Sequence, residues 1–227
     1  ASLVSVTRKE KHNVKVVIIS ERSEYNHLLD EVKSFKPDVI GFSSVSSQFN
    51  YVKEIVLLIK ELLPSVIAVC GGVHPTIHTN ALLETEMIDG FFVGESEFSF
   101  IEFLKKIEKG ESFKETDNFA YVKNGVVVRN KLKALIENLD LLPSPDKEVY
   151  PYEKTVTDLG YAPFFFARGC PFVCTYCSNH ALARLYGRKR NYPRFRSPET
   201  CIREIEEVME KYGKLIEFVW IMDDIFG

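Results

Sequence analysis

Cys170, Cys174 and Cys177 place three thiols within eight residues, in the spacing C-x3-C-x2-C. A loop of that length can wrap three thiolates around one inorganic centre. In a cubane cluster three protein ligands leave one iron open to an outside chelator. The same spacing suits zinc, with His180 completing C-x3-C-x2-C-x2-H. Spacing leaves both chemistries open, and position favours the first. The cysteines directly follow the apolar run PFFFA, and α/β sheets and barrels place their active sites at the C-terminal ends of buried strands.

Other groups sit at comparable points. Asp223 and Asp224 follow the apolar run IEFVWIM (216–222), where they would meet a ligand or cap the next helix. In the N-terminal half three loops follow apolar runs: SSVSSQ (43–48), GGVHPTIH (71–78) and GESE (94–97). Such loops line the crevice where flat ligands bind in doubly wound folds. Gly71-Gly72 permits close approach of backbone to a ligand, or simply a tight turn. Glu95 and Glu97 suit the positive end of the helix they precede. Arg184, Arg188, Lys189, Arg190, Arg194 and Arg196 fall within thirteen residues. They are a solvated loop, or donors to the carboxylate or phosphate of a ligand, nucleic acid being the weaker reading. Cys70 and Cys201 stand apart and read as small core residues.

The elements that must position these groups alternate. Runs 14–20, 38–44, 65–70 and 89–94 read as strands. Residues 26–35, 51–63 and 96–109 carry apolar side chains at helical spacing, with a shorter helix over 81–87. This pattern predicts a parallel sheet covered on both faces. FAYVK-NG-VVVRN (119–130) is a hairpin, since Asn124-Gly125 suits a type I′ turn. Pro143, Pro145 and Pro151 mark a linker. Alternation resumes at 162, and Ser197-Pro198-Glu199 is a helix start with cap, first-turn proline and carboxylate.

RGCPFVCTYCSNH (168–180) resembles the radical S-adenosylmethionine (SAM) motif C-x3-C-x-aromatic-C, with Tyr176 at the aromatic position. The resemblance implies that Cys170, Cys174 and Cys177 bind a [4Fe-4S] cluster whose open iron is chelated by SAM. Electron transfer then cleaves SAM to methionine and a 5′-deoxyadenosyl radical. R-x-R-S-P-E (194–199) and F-V-W-I-M-D-D-I-F (218–226) are similar to the subgroup with an N-terminal cobalamin-binding domain. That subgroup often transfers methyl groups through cobalamin, and some members catalyse cyclisation, ring contraction or oxidation. Ser43-Ser44-Val45 resembles the S-x-L of cobalamin domains, with Val for Leu, and Gly71-Gly72 their later Gly-Gly. G-G-x-H-P followed by G-E-x-E, with Ser96 where Gly is common, adds His74, Gly94 and Glu95 to the cofactor-contact candidates. His74 reads as fixing its loop by hydrogen bonding rather than as a cobalt ligand, and the D-x-H-x-x-G motif is absent. By the same resemblance Tyr176, Arg196, Asp223 and Asp224 face SAM or substrate.

Composition fits this reading. With 29 basic and 32 acidic residues the formal charge is −3, which implies no polyanion partner. No apolar window reaches the ~18 residues of a membrane span, there is no secretory leader pattern, and thiol usage points to the cytoplasm. The expected fold class is α/β: a Rossmann-like cobalamin-binding domain over 1–112 lacking its first strand, a hairpin and linker over 113–160, and the opening of a radical SAM barrel over 161–227. Residues 161–227 suffice for two strands and one helix, so the expectation is a fragment truncated at both ends and inactive alone. Expected partners are a small-molecule or peptide substrate and an electron donor such as flavodoxin or ferredoxin. Alternatives are a radical SAM protein without cobalamin and a zinc-stabilised binding module.

Overall fold

A computed structural model describes residues 1–187 and 193–225 and divides the chain into two compact units. One is Val17–Ala134; the other combines Ala1–Val16 with Leu135–Gly227.

The unit Val17–Ala134 is built on a five-stranded sheet in the order β1 (Val39–Ser43), β2 (Ile67–Gly71), β3 (Gly90–Phe92), β4 (Phe119–Lys123), β5 (Val126–Arg129). β1, β2 and β3 are mutually parallel, in register from Val39↔Ile67 to Ser43↔Gly71 between the first two. β3–β4 and β4–β5 are antiparallel. The predicted hairpin therefore extends the sheet, and the expected parallel sheet is a mixed one. α3 (Phe49–Leu62) is the crossover from β1 to β2 and a short α4 (Val73–Ile77) lies between β2 and β3, while α2 (Tyr25–Phe35) precedes β1 and α5 (Glu97–Glu108) joins β3 to β4. The apolar faces anticipated from spacing are buried. Val32 of α2 and Ile55 and Ile59 of α3 pack with Val66, against Ile40 and Phe42 of β1. Adjacent residues of β3 point to opposite faces, as a strand's period of two requires. Phe91 meets Phe49 edge-on at 5.8 Å, and Phe92 meets Phe103 of α5 at 5.3 Å.

The run 14–20 forms no strand. Its burial alternates, with Val17 and Ile19 half-buried and Val16 and Ile18 exposed, yet no ladder partner joins it among the described residues. A strand needs a neighbour for its backbone groups as well as an apolar face. Likewise 73–77, expected as loop, is helical, and the expected helix over 81–87 is a 3-10 stretch at Thr79–Glu84.

In the other unit α1 (Ser2–Lys9) is held by Ser5 Oγ, which accepts from the Asp146 amide at 2.6 Å, and by an Arg8–Asp146 ion pair. The proline-rich stretch, expected as linker, holds a helix, α6 (Tyr152–Leu159), ended by Gly160 at φ 73. β6 (Tyr161–Phe164) pairs in parallel with β9 (Phe218–Ile221). The crossover runs through β7 (Ala167–Arg168), α7 (Ser178–Leu185), β8 (Arg194–Phe195) and α8 (Pro198–Tyr212), and β7 and β8 pair antiparallel. α8 starts where the sequence places it, Ser197 Oγ accepting from the Thr200 amide. Tyr152, Val156, Ala162, Phe164, Phe166 and Val208 form the core. Among the described residues no helix is long and apolar enough to cross a membrane.

Candidate functional site

Because β1, β2 and β3 run parallel, the segments that follow them emerge at one edge of the sheet. Ser44, buried, ties the first two together: its amide donates to Gly71 O at 3.0 Å and its carbonyl accepts from the His74 amide at 3.1 Å. Gly72 adopts φ +99, and a Cβ there would lie 2.8 Å from Ser44 O and 2.9 Å from Ser44 N. Its lack of a side chain thus serves the packing of two loops. Thr76 bridges to the third segment, donating to Gly72 O at 2.7 Å and accepting from the Gly94 amide at 3.0 Å. Gly94 has φ +74, whereas Ser96 at φ −126 needs no glycine.

His74 is 7% exposed. Its Nδ1 lies 3.0 Å from Ser46 Oγ, its ring 4.4 Å from that of Phe49, and its Nε2 is buried without a hydrogen-bond partner. Burial, then the neighbouring His78, lowers its pKa, so neutral imidazole is favoured. It fixes its loop from inside and presents no nitrogen to the surface.

Solvent meets Ser43, Gly72 and the apolar Val45, Ile77 and Phe98 along this edge. A shallow ledge of bare backbone rimmed by apolar side chains suits a broad, flat ligand. Of the residues expected here, Ser44, Gly72, His74, Gly94 and Glu95 lie in these segments, and Ser43 and Gly71 end the strands that lead into them. Ile77, Phe98 and Asn118 were not expected. The Asn118 side chain is buried at φ 63, donates to Val93 O (2.8 Å) and Glu95 O (3.2 Å), and accepts from Ser99 Oγ and the Lys133 amide (both 2.9 Å). It anchors the segment that carries Gly94 and Glu95. Only its position before a strand hinted at this.

The second group of candidates lies in the other unit. Gly169, at φ 96, turns the chain directly before Cys170. Cys170 and Cys177 are half-buried and Cys174 exposed, all three as free thiols, with a turn closed by the Cys177 amide on Cys174 O at 3.1 Å. Tyr176 is 91% exposed, and the charge and hydrogen bond of Cys174 raise its pKa. Three exposed or half-exposed thiols on one loop fit an iron–sulfur cluster as a donor set. The sulfurs are not gathered beforehand: among the described residues no three of His, Cys, Asp and Glu converge as a metal site. His180 is half-buried in α7 and adds no convergent nitrogen. Cys70, by contrast, is sealed in the core, its thiol pushed up to about 12 by burial.

Asp223 and Asp224 reach this loop from the end of β9. Asp223 Oδ1 accepts from the Phe166 and Ala167 amides at 2.7 and 2.8 Å, and Asp224 Oδ2 from Asn179 at 2.8 Å. Arg194 donates to Ile136 O at 2.6 Å and Arg196 to Pro143 O at 3.0 Å, while the Ser197 amide donates to Asp140 at 3.0 Å. R-x-R-S therefore clamps the stretch 136–143. Arg196, 9% exposed, keeps Nη1 without a hydrogen-bond partner and lines a cavity of about 470 Å³ together with Pro163, Phe165, Lys147 and Glu204. Glu204 is paired to Lys147 at 2.6 Å. Arg184 lies in the last turn of α7, and Arg188, Lys189 and Arg190 lie outside the described residues.

Residues 2–104, which include the whole ledge, match the B12 binding domain family. The fold of this segment is that of a B12-binding domain. The whole chain has relatives among curated proteins. It is 30% identical over 230 residues to an uncharacterized methyltransferase of Pyrococcus horikoshii, covering 100% of this chain and 48% of that protein. It is 27% identical to the anaerobic magnesium-protoporphyrin IX monomethyl ester cyclase of Rubrivivax gelatinosus, over 81% of this chain and 33% of that protein. The chain thus spans about half, or less, of the length of these relatives. Among solved structures, the cobalamin-dependent SAM radical enzyme OxsB, with aqua-cobalamin and SAM bound, superposes with a TM-score of 0.78 at 21% identity, over 99% of this chain and 31% of that one. TsrM of Kitasatospora setae, with cobalamin and a [4Fe-4S] cluster bound, gives 0.75 at 15% identity, over 98% and 44%. These likenesses establish the fold.

Proposed function

We propose that this chain binds cobalamin on the ledge of its B12-binding domain, holds a [4Fe-4S] cluster on Cys170, Cys174 and Cys177, and belongs to an enzyme that uses both with SAM. When bound, these groups supply reductive cleavage of SAM to a 5′-deoxyadenosyl radical and a carrier for methyl transfer or another radical rearrangement. The observation that carries the reading is the presence, in one chain, of a B12-binding domain with an open apolar-rimmed edge and a three-thiol loop at the end of a parallel strand.

The residues divide the work. Ser43, Gly72, Val45, Ile77 and Phe98 give the macrocycle a flat seat, and Thr76 and Asn118 keep its segments in place. The three thiols leave the exposed side of their loop, and Tyr176 with it, facing SAM. Arg196 Nη1, buried without a partner at the cavity, is the donor there for a carboxylate or phosphate. The protein's part is to orient the reacting groups and exclude water. A flavodoxin or ferredoxin supplies the electron, the substrate is a small molecule or peptide, and the compartment is the cytoplasm.

The test is co-elution of hydroxocobalamin with the chain in gel filtration, read by its visible spectrum. Retention by the wild type, and its loss on Phe98→Glu or Ile77→Glu with unchanged circular dichroism, is expected. A chain that elutes free of cobalamin, or variants that retain it fully, would overturn the site.

A further inference from the structure

We propose that Asp223 and Asp224 are positioning residues that grip the two flanks of the cysteine loop and shape it before iron arrives. This rests on Cys170, Cys174 and Cys177 being the cluster ligands. The chain leaves β6 after Phe164, the last residue paired with β9, and passes through β7, which pairs with β8, before it reaches Cys170. Phe166 is buried, and the acceptor for its amide and for that of Ala167 comes from outside the β6–β9 ladder. Both donate to a single oxygen of Asp223. The other flank is α7, whose second residue, Asn179, donates to Asp224. All three thiols lie between these two points. The dipeptide is itself fixed, because the Met222 amide donates to Phe164 O at 2.8 Å. One short segment at the end of β9 thus sets the distance between entry and exit of the loop.

This differs from direct contact with the ammonium group of SAM or with substrate, since the resemblance implies only that the two acids face SAM or substrate. A carboxylate oxygen accepting two amide N–H groups is already engaged. The two roles respond differently to asparagine, which keeps an acceptor oxygen but loses the charge. Positioning needs the oxygen; contact with a cation needs the charge.

The experiment compares wild type, Asp223→Asn, Asp223→Ala, Asp224→Asn and Asp224→Ala in the 227-residue chain. Amide hydrogen exchange without iron is measured first, then iron bound after anaerobic reconstitution. Asp223→Ala is expected to speed exchange at Phe166 and Ala167 by roughly tenfold or more, with Val69 and Phe91 unchanged. Both alanine variants are expected to hold less iron than wild type, and both asparagine variants to match it. Unchanged protection in Asp223→Ala, or asparagine variants as poor in iron as alanine ones, would overturn the proposal. If Asp223→Ala does not fold, Asp223→Asn decides by retaining or losing protection and iron. If the wild type itself takes up no iron, the proposed function fails, while the exchange rates still decide the positioning role.

Discussion

Gly72→Ala is the sharpest perturbation of the B12-binding domain. Gly72 has φ +99 and ψ −168, a region essentially closed to other residues. An added methyl would lie 2.8 Å from Ser44 O, 2.9 Å from Ser44 N and 3.2 Å from Ser43 Oγ. The first two neighbours are backbone, so the clash is relieved only by parting the loops after β1 and β2. Parting them strains or breaks the Ser44–Gly71 and His74–Ser44 bonds. Backbone strain of about 1–3 kcal/mol and two hydrogen bonds of about 0.5–1.5 kcal/mol each give an expected loss of about 2–6 kcal/mol. Gly71→Ala is the control. Its Cβ would meet only Phe92 Cβ at 3.7 Å and Phe92 O at 3.9 Å, ordinary contacts, and its φ is not positive. The expected change there is within about 1 kcal/mol. Urea denaturation followed by circular dichroism measures both, at constant m-value. A Gly72→Ala chain within about 1 kcal/mol of wild type, or a Gly71→Ala chain equally damaged, would refute the loop-packing argument.

Asn118→Ala removes four side-chain hydrogen bonds and places alanine at φ 63, for an expected loss of about 3–5 kcal/mol in the same assay. Asn118→Gly relieves the strain and leaves most of that loss; full recovery would contradict the assigned role. Iodoacetamide at pH 8 is expected to label Cys170, Cys174 and Cys177 in the native chain and to spare Cys70, whose buried thiol titrates near 12. Labelling of Cys70 without unfolding would contradict its burial. His74 titrates below its ordinary 6.5 because of burial and His78, with Lys53 and Glu84 also facing it. The folded chain therefore resists a proton that the unfolded chain accepts, so this stability is present above about pH 6.5 and lost as pH falls through the lowered value. Thermal melts from pH 8 to 5 measure the slope, and a His74→Phe chain with the same slope would exclude His74 as its source.

The sequence revealed most where local signals and packing agree. α3 and α5 carry apolar side chains at helical spacing and bury those faces. Ser197-Pro198 caps α8 because the hydroxyl and the missing proline N–H both answer a local need. The run 14–20 misled because a β-branched apolar run reports a tendency to burial and says nothing of a ladder partner. α6 went unread because Pro143, Pro145 and Pro151 dominate its approach, although Tyr152 and Val156 have helical spacing and are buried. In the candidate site, glycines and cysteines announced themselves by type. Asn118 and Thr76 did not, because their roles depend on which distant carbonyls and amides the fold brings to them. Asp223, Asp224 and Arg196 were found as residues and acquired different partners: the backbone before Cys170, Asn179 after Cys177, and the carbonyl of Pro143.

Metal content after anaerobic reconstitution tests the central claim most directly. The account predicts about four iron and four sulfide per chain, with an absorption band near ~400 nm lost in air and lost in Cys170→Ser, Cys174→Ser and Cys177→Ser. Stoichiometric zinc, bound stably in air and requiring His180 as well as the cysteines, would contradict it.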